Sequence, residues 1–314
     1  MKKQTITLAL FLSLCFSAWA QKEYSIKKNT GTLRLNLTGA IIEGYEGNEI
    51  IFSSQRAPEE EDERAKGLQA LSSLGYKDNT GLGISVTDKG QHVEVNLVGN
   101  SRRNDVLKIK VPNRMNVTFN NEKSIFVDTL HIKNIKGELE VSTSYNGIIL
   151  ENNSGPMNVK TVYRDVEASF ANDIKGPISI ISVYGHVDVA IPKATKANLT
   201  LGTSYGKLYA ADELDISITP KEDGRDDVGI TSADAKPSVR NVYIPVNGER
   251  LAVNVGGGRG AVILSDSLSA LGAISIRGFA AGGSEPENIE GTINGGGTNL
   301  ILKSTYRNVY LRTK

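Results

Sequence analysis

The chain has 314 residues, with 36 basic and 35 acidic side chains and a formal net charge of +1. That balance gives no field of one sign, so nucleic acid and anionic membrane surfaces are not the expected partners. The single cysteine and single tryptophan, Cys15 and Trp19, both lie in the first twenty residues.

Those residues read as a secretory signal peptide. Lys2 and Lys3 form a basic start, Ile6 to Phe16 a mostly apolar stretch, and Ala18-Trp19-Ala20 a small-residue cleavage site. Cleavage is expected between Ala20 and Gln21. The apolar stretch is short of the ~20 residues that span a bilayer, which disfavours an uncleaved anchor. Leu14 before Cys15 disfavours lipidation, where a lipobox-like pattern wants a small residue. The chain from Gln21 then has no cysteine, hence no disulfide, no thiol nucleophile and no Cys-ligated zinc. It carries 34 basic and 35 acidic side chains. No later apolar run approaches the ~18 residues that suggest a transmembrane helix.

Pro58 to Leu74 departs from strand patterning. Acids follow the proline and Gly75 closes the stretch, so a short helix or charged loop is predicted, with Leu68, Leu71 and Leu74 as its apolar stripe. Such an insertion would serve as a cap on a stack of strands.

From Lys136 onward the sequence repeats itself. STSYNGIILE, KTVYRDVEAS, ISVYGHVDVA and GTSYGKLYAA align on Tyr145, Tyr163, Tyr184 and Tyr205, and KSTYRNVYLR adds Tyr306. Each phrase is a hydroxyl residue, a variable residue, tyrosine, a turn-like pair and an alternating strand. Period-two alternation interrupted by Gly, Asn or Asp is a strand-and-turn pattern. Lys221 to Pro237 reads as a protruding polar loop. Gly256 to Gly258 with Ser265, and Gly295 to Gly297 with Ser304, form a second repeat at one common spacing.

Repeats of this length predict an all-β protein, a single-stranded β-solenoid (β-helix) of stacked coils of about twenty residues. One coil cannot bury its inward side chains, whereas a stack builds a continuous core. The domain reading is a signal peptide over 1–20 and one solenoid domain over 21–314, with the insertion at 58–74 and the loop at 221–237. A β-sandwich is the competing arrangement.

The phrases SxYG and VYRDVEAS and the ending GTINGGGTNLILKSTYRNVYLR resemble the DUF4097 family of adhesin-like bacterial envelope proteins. RAKGLQALSSLGYKDNTGLGISV is similar to members from Bacteroidetes-type bacteria. The resemblance implies a β-solenoid in an envelope setting. It brings no catalytic residues with it.

Motifs for chemistry are sparse. GGGRGA has no following helix pattern and no GxxxxGK[ST] occurs, so tight turns explain its glycines. His92, His131 and His186 lack zinc-ligand spacing. The acidic groups around Asp212 and Asp226 lack calcium-loop order. No cofactor and no metal are expected. Two positions after the tyrosines come Gly147, Asp165, His186, Lys207 and Asn308. Stacked in sequence order, Asp165, His186 and Lys207 would form a column resembling the acid, base and cation of a β-helix polysaccharide lyase. The alternative is a polar ladder. Tyr145, Tyr163, Tyr184 and Tyr205 form either a register-keeping stack or an outward aromatic strip for binding.

The function expected from all this is a non-enzymatic exported envelope protein, an adhesin-like or structural module that presents repetitive faces to a polymer, surface or protein. Its setting would be the periplasm, the outer membrane or the cell surface, and its partner an envelope glycan or envelope protein. A polysaccharide lyase or hydrolase and an accessory in envelope-stress signalling are the alternatives.

Overall fold

A computed structural model describes residues 22–54, 63–99, 107–121, 129–170, 174–220, 240–246, 249–255 and 287–314. The predicted signal peptide, the loop at 221–237 and the glycine run at 256–258 lie outside the described residues.

The chain opens with β1 (Glu23–Lys27), β2 (Thr32–Asn36), β3 (Ile41–Tyr45) and β4 (Glu49–Ser54). After a single 3-10 turn at Glu63–Ala65 come β5 (Ile84–Asp88), β6 (His92–Leu97), β7 (Leu107–Pro112), β8 (Asn116–Asn121) and β9 (Leu130–Lys133). The repeat region supplies β10 (Leu139–Thr143), β11 (Ile148–Glu151), β12 (Met157–Thr161), β13 (Val166–Ser169), β14 (Ile178–Ser182) and β15 (Val187–Ile191). It continues with β16 (Ala197–Thr203), β17 (Leu208–Ala210) and β18 (Ile216–Ile218). β19 (Arg240–Val246) and β20 (Glu249–Val255) form an antiparallel hairpin. The chain closes with β21 (Glu287–Ile293), β22 (Thr298–Ser304) and β23 (Val309–Thr313).

Contacts divide the chain into two units. One comprises residues 1–219 and 282–314, the other Pro220–Ala281, whose described part is the β19–β20 hairpin.

The larger unit is the predicted solenoid. Each coil places one strand in an eleven-stranded sheet and, after a short turn, the next in a ten-stranded sheet. Alternation drives this: every second residue points between the sheets, and parallel pairing lays equivalent residues above one another. Leu139, Met157, Ile178, Leu300 and Leu199 form one buried column, and Ile148, Val166, Val187 and Val309 another. Each such side chain contributes about 1.5–3 kcal/mol when buried. No single coil could bury them, so neighbouring coils must fold together.

The stacking order is not the chain order. β22 and β23 lie between β14–β15 and β16–β17, pairing in parallel on both sides. At the other end β2 and β3 lie between β6–β7 and β8–β9. The coils β2–β3 and β22–β23, near the two termini in sequence, are therefore each second from the end of the parallel-paired coils. Beyond these coils the pairing turns antiparallel, with β5 on β6, β4 on β7 and β21 on β16. Antiparallel strands there cover edges that would otherwise stay open.

Of the stretch read as a short helix or a charged loop, the structure describes residues 63–74, and these follow the loop alternative. Beyond the 3-10 turn it is turns and bends with one isolated bridge, Leu71 to Lys77. Leu68, Leu71 and Leu74 stand 76%, 63% and 80% exposed.

Candidate functional site

The turns joining the eleven-stranded to the ten-stranded sheet are built by the hydroxyl residue of each tyrosine phrase. Thr143, Thr161, Ser182, Ser304 and Thr203 are all buried. Ser182 Oγ donates to the Arg164 carbonyl of the preceding coil at 2.8 Å and accepts from Gly185 N–H of its own turn at 2.9 Å. Ser304 does the same with Gly185 O and Arg307 N–H, and Thr203 with Arg307 O and Gly206 N–H. Thr161 donates to Asn146 O. In four of the five turns a buried hydroxyl thus bonds a carbonyl of the neighbouring coil, satisfying polar groups whose burial would otherwise be costly; at the first of them Thr143 Oγ1 is buried without a hydrogen-bond partner among the described residues.

Two residues further on, the tyrosines stack. Centroid distances run 4.7 Å from Tyr145 to Tyr163, 5.3 Å to Tyr184, 4.6 Å to Tyr306 and 5.0 Å to Tyr205, with interplanar angles of 14°, 4°, 5° and 7°. The rings repeat at the strand spacing, so offset stacking needs no adjustment of the backbone. Tyr163, Tyr184, Tyr306 and Tyr205 are 43–50% exposed. The ladder therefore lies on the surface and also keeps register. Its ring faces are largely covered by each other, and what reaches solvent is a strip of edges and hydroxyls. Tyr184 and Tyr205 flank the Tyr306 phenol; repulsion from Tyr184, then loss of solvation, hold it above the usual phenol range.

The residue after each tyrosine gives a second column: Asn146, Arg164, Gly185, Arg307 and Gly206. Glycine is needed twice for close approach. A Cβ on Gly185 would lie 2.0 Å from Arg164 O, and one on Gly206 2.1 Å from Arg307 O. Arginine and glycine alternate here because the coil of Tyr306 lies between those of Tyr184 and Tyr205.

In the third column, Asp165 and His186 are neighbours. Asp165 Oδ1 accepts from His186 N–H at 2.8 Å and lies 3.0 Å from His186 Nδ1. Lys207 is not next. Asn308 lies between, and its Oδ1 accepts from Lys207 N–H at 2.9 Å. The column runs Gly147, Asp165, His186, Asn308, Lys207. Sequence order placed Lys207 beside His186; intercalation of the last coil separates them. Asp165 and Asn308 make the same inter-coil bond to backbone, which is a register-keeping role.

On the ten-stranded sheet, Tyr209 stacks on Tyr310 at 5.2 Å and 7°, and His186 meets the Tyr310 ring edge-on at 6.2 Å. Arg312 forms a forked pair with Asp188, at 2.7 Å and 2.8 Å, and lies over the Tyr310 ring. Between these groups and the tyrosine ladder runs a groove made of two adjoining hollows, of about 350 and 440 Å³, which share Arg164 and Asp165. Sequence reading missed Arg164, Arg307, Tyr310 and Tyr209. The signal was present in KTVYRDVEAS, GTSYGKLYAA and KSTYRNVYLR, but the place of the last phrase in the stack was not. Among the described residues, no group of three or more His, Cys, Asp or Glu is arranged to hold a metal ion.

Fold and edge together define a two-sheet β-solenoid with a stacked aromatic edge. Residues 113–244 match the family model Toastrack DUF4097, and the resemblance carried by the tyrosine phrases holds. A solved structure of a Clostridium sporogenes protein assigned to cell adhesion is similar over 94% of this chain and 100% of that one, at 11% identity and a TM-score of 0.41. No curated protein matches. Among the described residues no helix is long and apolar enough to cross a membrane.

Proposed function

We propose that this chain is a non-enzymatic, exported envelope module that binds an elongated partner along its tyrosine edge. The observation behind this reading is the continuity of the edge. Five tyrosines, the arginine–glycine column and the polar turn column run side by side over five coils. A partner laid along the stack meets a tyrosine at every coil, which suits a polymer better than a compact molecule. The signal peptide read from residues 1–20 supports export, to the periplasm, outer membrane or cell surface. The polar groups at the edge have structural duties: Asp165 holds the His186 amide and Asn308 the Lys207 amide.

The test is native-gel retardation of the chain from Gln21 in gels cast with bacterial and plant polysaccharides, alongside crosslinking in the native envelope. A retarding polymer of unchanged length, or a single crosslinked envelope protein, supports the module. Shortening of the polymer overturns the non-enzymatic part. The lyase reading rests on the contact between Asp165 and His186 alone, so His186→Ala would then have to abolish the shortening.

A further inference from the structure

The groove holds charge that register-keeping does not use. Arg164 and Arg307 are exposed, and no partner for either guanidinium is present among the described residues. Asp165, next to Arg164 on the same coil, lines the groove as well and faces His186 Nδ1 at 3.0 Å. Lys207 stands one coil beyond Arg307, outside the lining of either hollow, and Glu167, on the coil of Arg164, adds a carboxylate to the first hollow. Arg164 and Arg307 are separated by the coil of Gly185, hence by two strand spacings, or about 10 Å. Bare guanidinium groups at a fixed repeat ask for carboxylates at a matching repeat.

An extended peptide is a poor occupant. Such peptides gain most of their affinity by adding a strand to an open sheet edge. Along this groove the strands are paired to coils on both sides, from β11 through β15 to β23. Side-chain tips are what remain: the hydroxyls of the ladder tyrosines and the two arginines, the Asn308 amide being engaged by Lys207 N–H and the Tyr310 hydroxyl. These match the hydroxyls and carboxylates of a sugar chain, without needing the ring faces that the ladder already covers. Gly147 leaves the floor open at one end, with nothing within 4 Å of a Cβ placed there.

We infer that this groove binds an extended acidic polysaccharide, with carboxylates of successive repeats on Arg164 and Arg307. The inference rests on reading the chain as a polymer-binding module, and names the ligand class and the residues.

The experiment measures binding of the chain from Gln21 to polygalacturonate, to the same polymer after carboxyl reduction, and to neutral dextran. Four variants are compared: the double Arg164→Glu/Arg307→Glu, Gly147→Trp, Glu167→Gln, and Arg34→Glu on the distant β2. Melting curves confirm that each is folded. The expected results are binding of polygalacturonate only, about tenfold or greater loss for the double variant, loss for Gly147→Trp, tighter binding for Glu167→Gln and no change for Arg34→Glu. Equal binding of reduced and native polymer overturns the acidic ligand but leaves the module standing. Acidic-polymer binding that ignores the groove variants overturns the site. If no polymer binds, the inference fails, while a crosslinked envelope protein would still sustain the module.

Discussion

Glycines at adjacent positions of the repeat phrases, one and two residues after the tyrosine, have opposite consequences. Gly185 lies against the backbone of Arg164, so a methyl group there has nowhere to go. Gly147 faces open space without a left-handed backbone. Gly185→Ala is expected to destabilise by about 3 kcal/mol through overpacking, and Gly147→Ala to stay within about 0.5 kcal/mol of the parent. Urea titrations of the two variants measure the difference. The tyrosines behave as half-exposed stack members. Tyr184→Ala removes contacts to Tyr163 and Tyr306 and is expected to cost about 1–2 kcal/mol, less than loss of a core column residue. In the folded parent, Tyr306 should ionise above the ordinary phenol range because Tyr184 disfavours its charge, followed by reduced solvation. A raised phenol favours folding below its unfolded pKa, an advantage lost as pH rises through the folded value. Ultraviolet titration should show the Tyr306 transition moving back down in Tyr184→Ala; an unmoved transition would contradict the coupling.

At the scale of elements, the two inserted coils carry the interest. β22–β23 supplies a rung in every column between β14–β15 and β16–β17. A chain ending at residue 286 should leave β16–β17 without its parallel neighbour and expose the columns ending at Ile180 and Val187. Expected results are dye binding to apolar surface and protease cutting after Ile191, with the preceding coils still protected. Unchanged protection of β16 would mean it can pair with β14 directly. The other inserted strand, β3, places Glu43 3.5 Å from Lys108 on β7 and 3.4 Å from Lys133 on β9. Burial alone would raise the Glu43 carboxyl, but the two lysines outweigh it and hold it below the usual range. A lowered carboxyl stabilises above its unfolded pKa, and that share is lost as pH falls through the lower folded value. The parent should therefore lose slightly more melting temperature than Glu43→Gln between pH 6 and about 3.5. Parallel melting curves across that window decide it.

For the molecule as a whole, the repeat phrases made much of the fold legible. Period-two alternation and a recurring hydroxyl-x-Tyr phrase define coils, because an inward column needs the same residue class at every turn. The hydroxyl residues were visible as a pattern, and their buried bonds to the preceding turn explain it. Pro58 to Leu74 was less legible: acids and leucines at helical spacing suggest a packed stripe, yet nothing in the segment says whether a surface awaits it. In the structure all three leucines stand exposed.

Sequence alone determined the all-β class, the coil length, the turn positions and the tyrosine ladder, since each follows from local alternation and turn chemistry. Only the tertiary structure decided the order of the stack. That order put Asn308 between His186 and Lys207, Tyr306 inside the ladder and one glycine coil between Arg164 and Arg307. The reason is physical: coils built on one pattern fit equally well beside several neighbours, and a repeat cannot state which neighbour it takes. Caps, chain connections and the summed packing of all columns choose among those arrangements, and none of these is local.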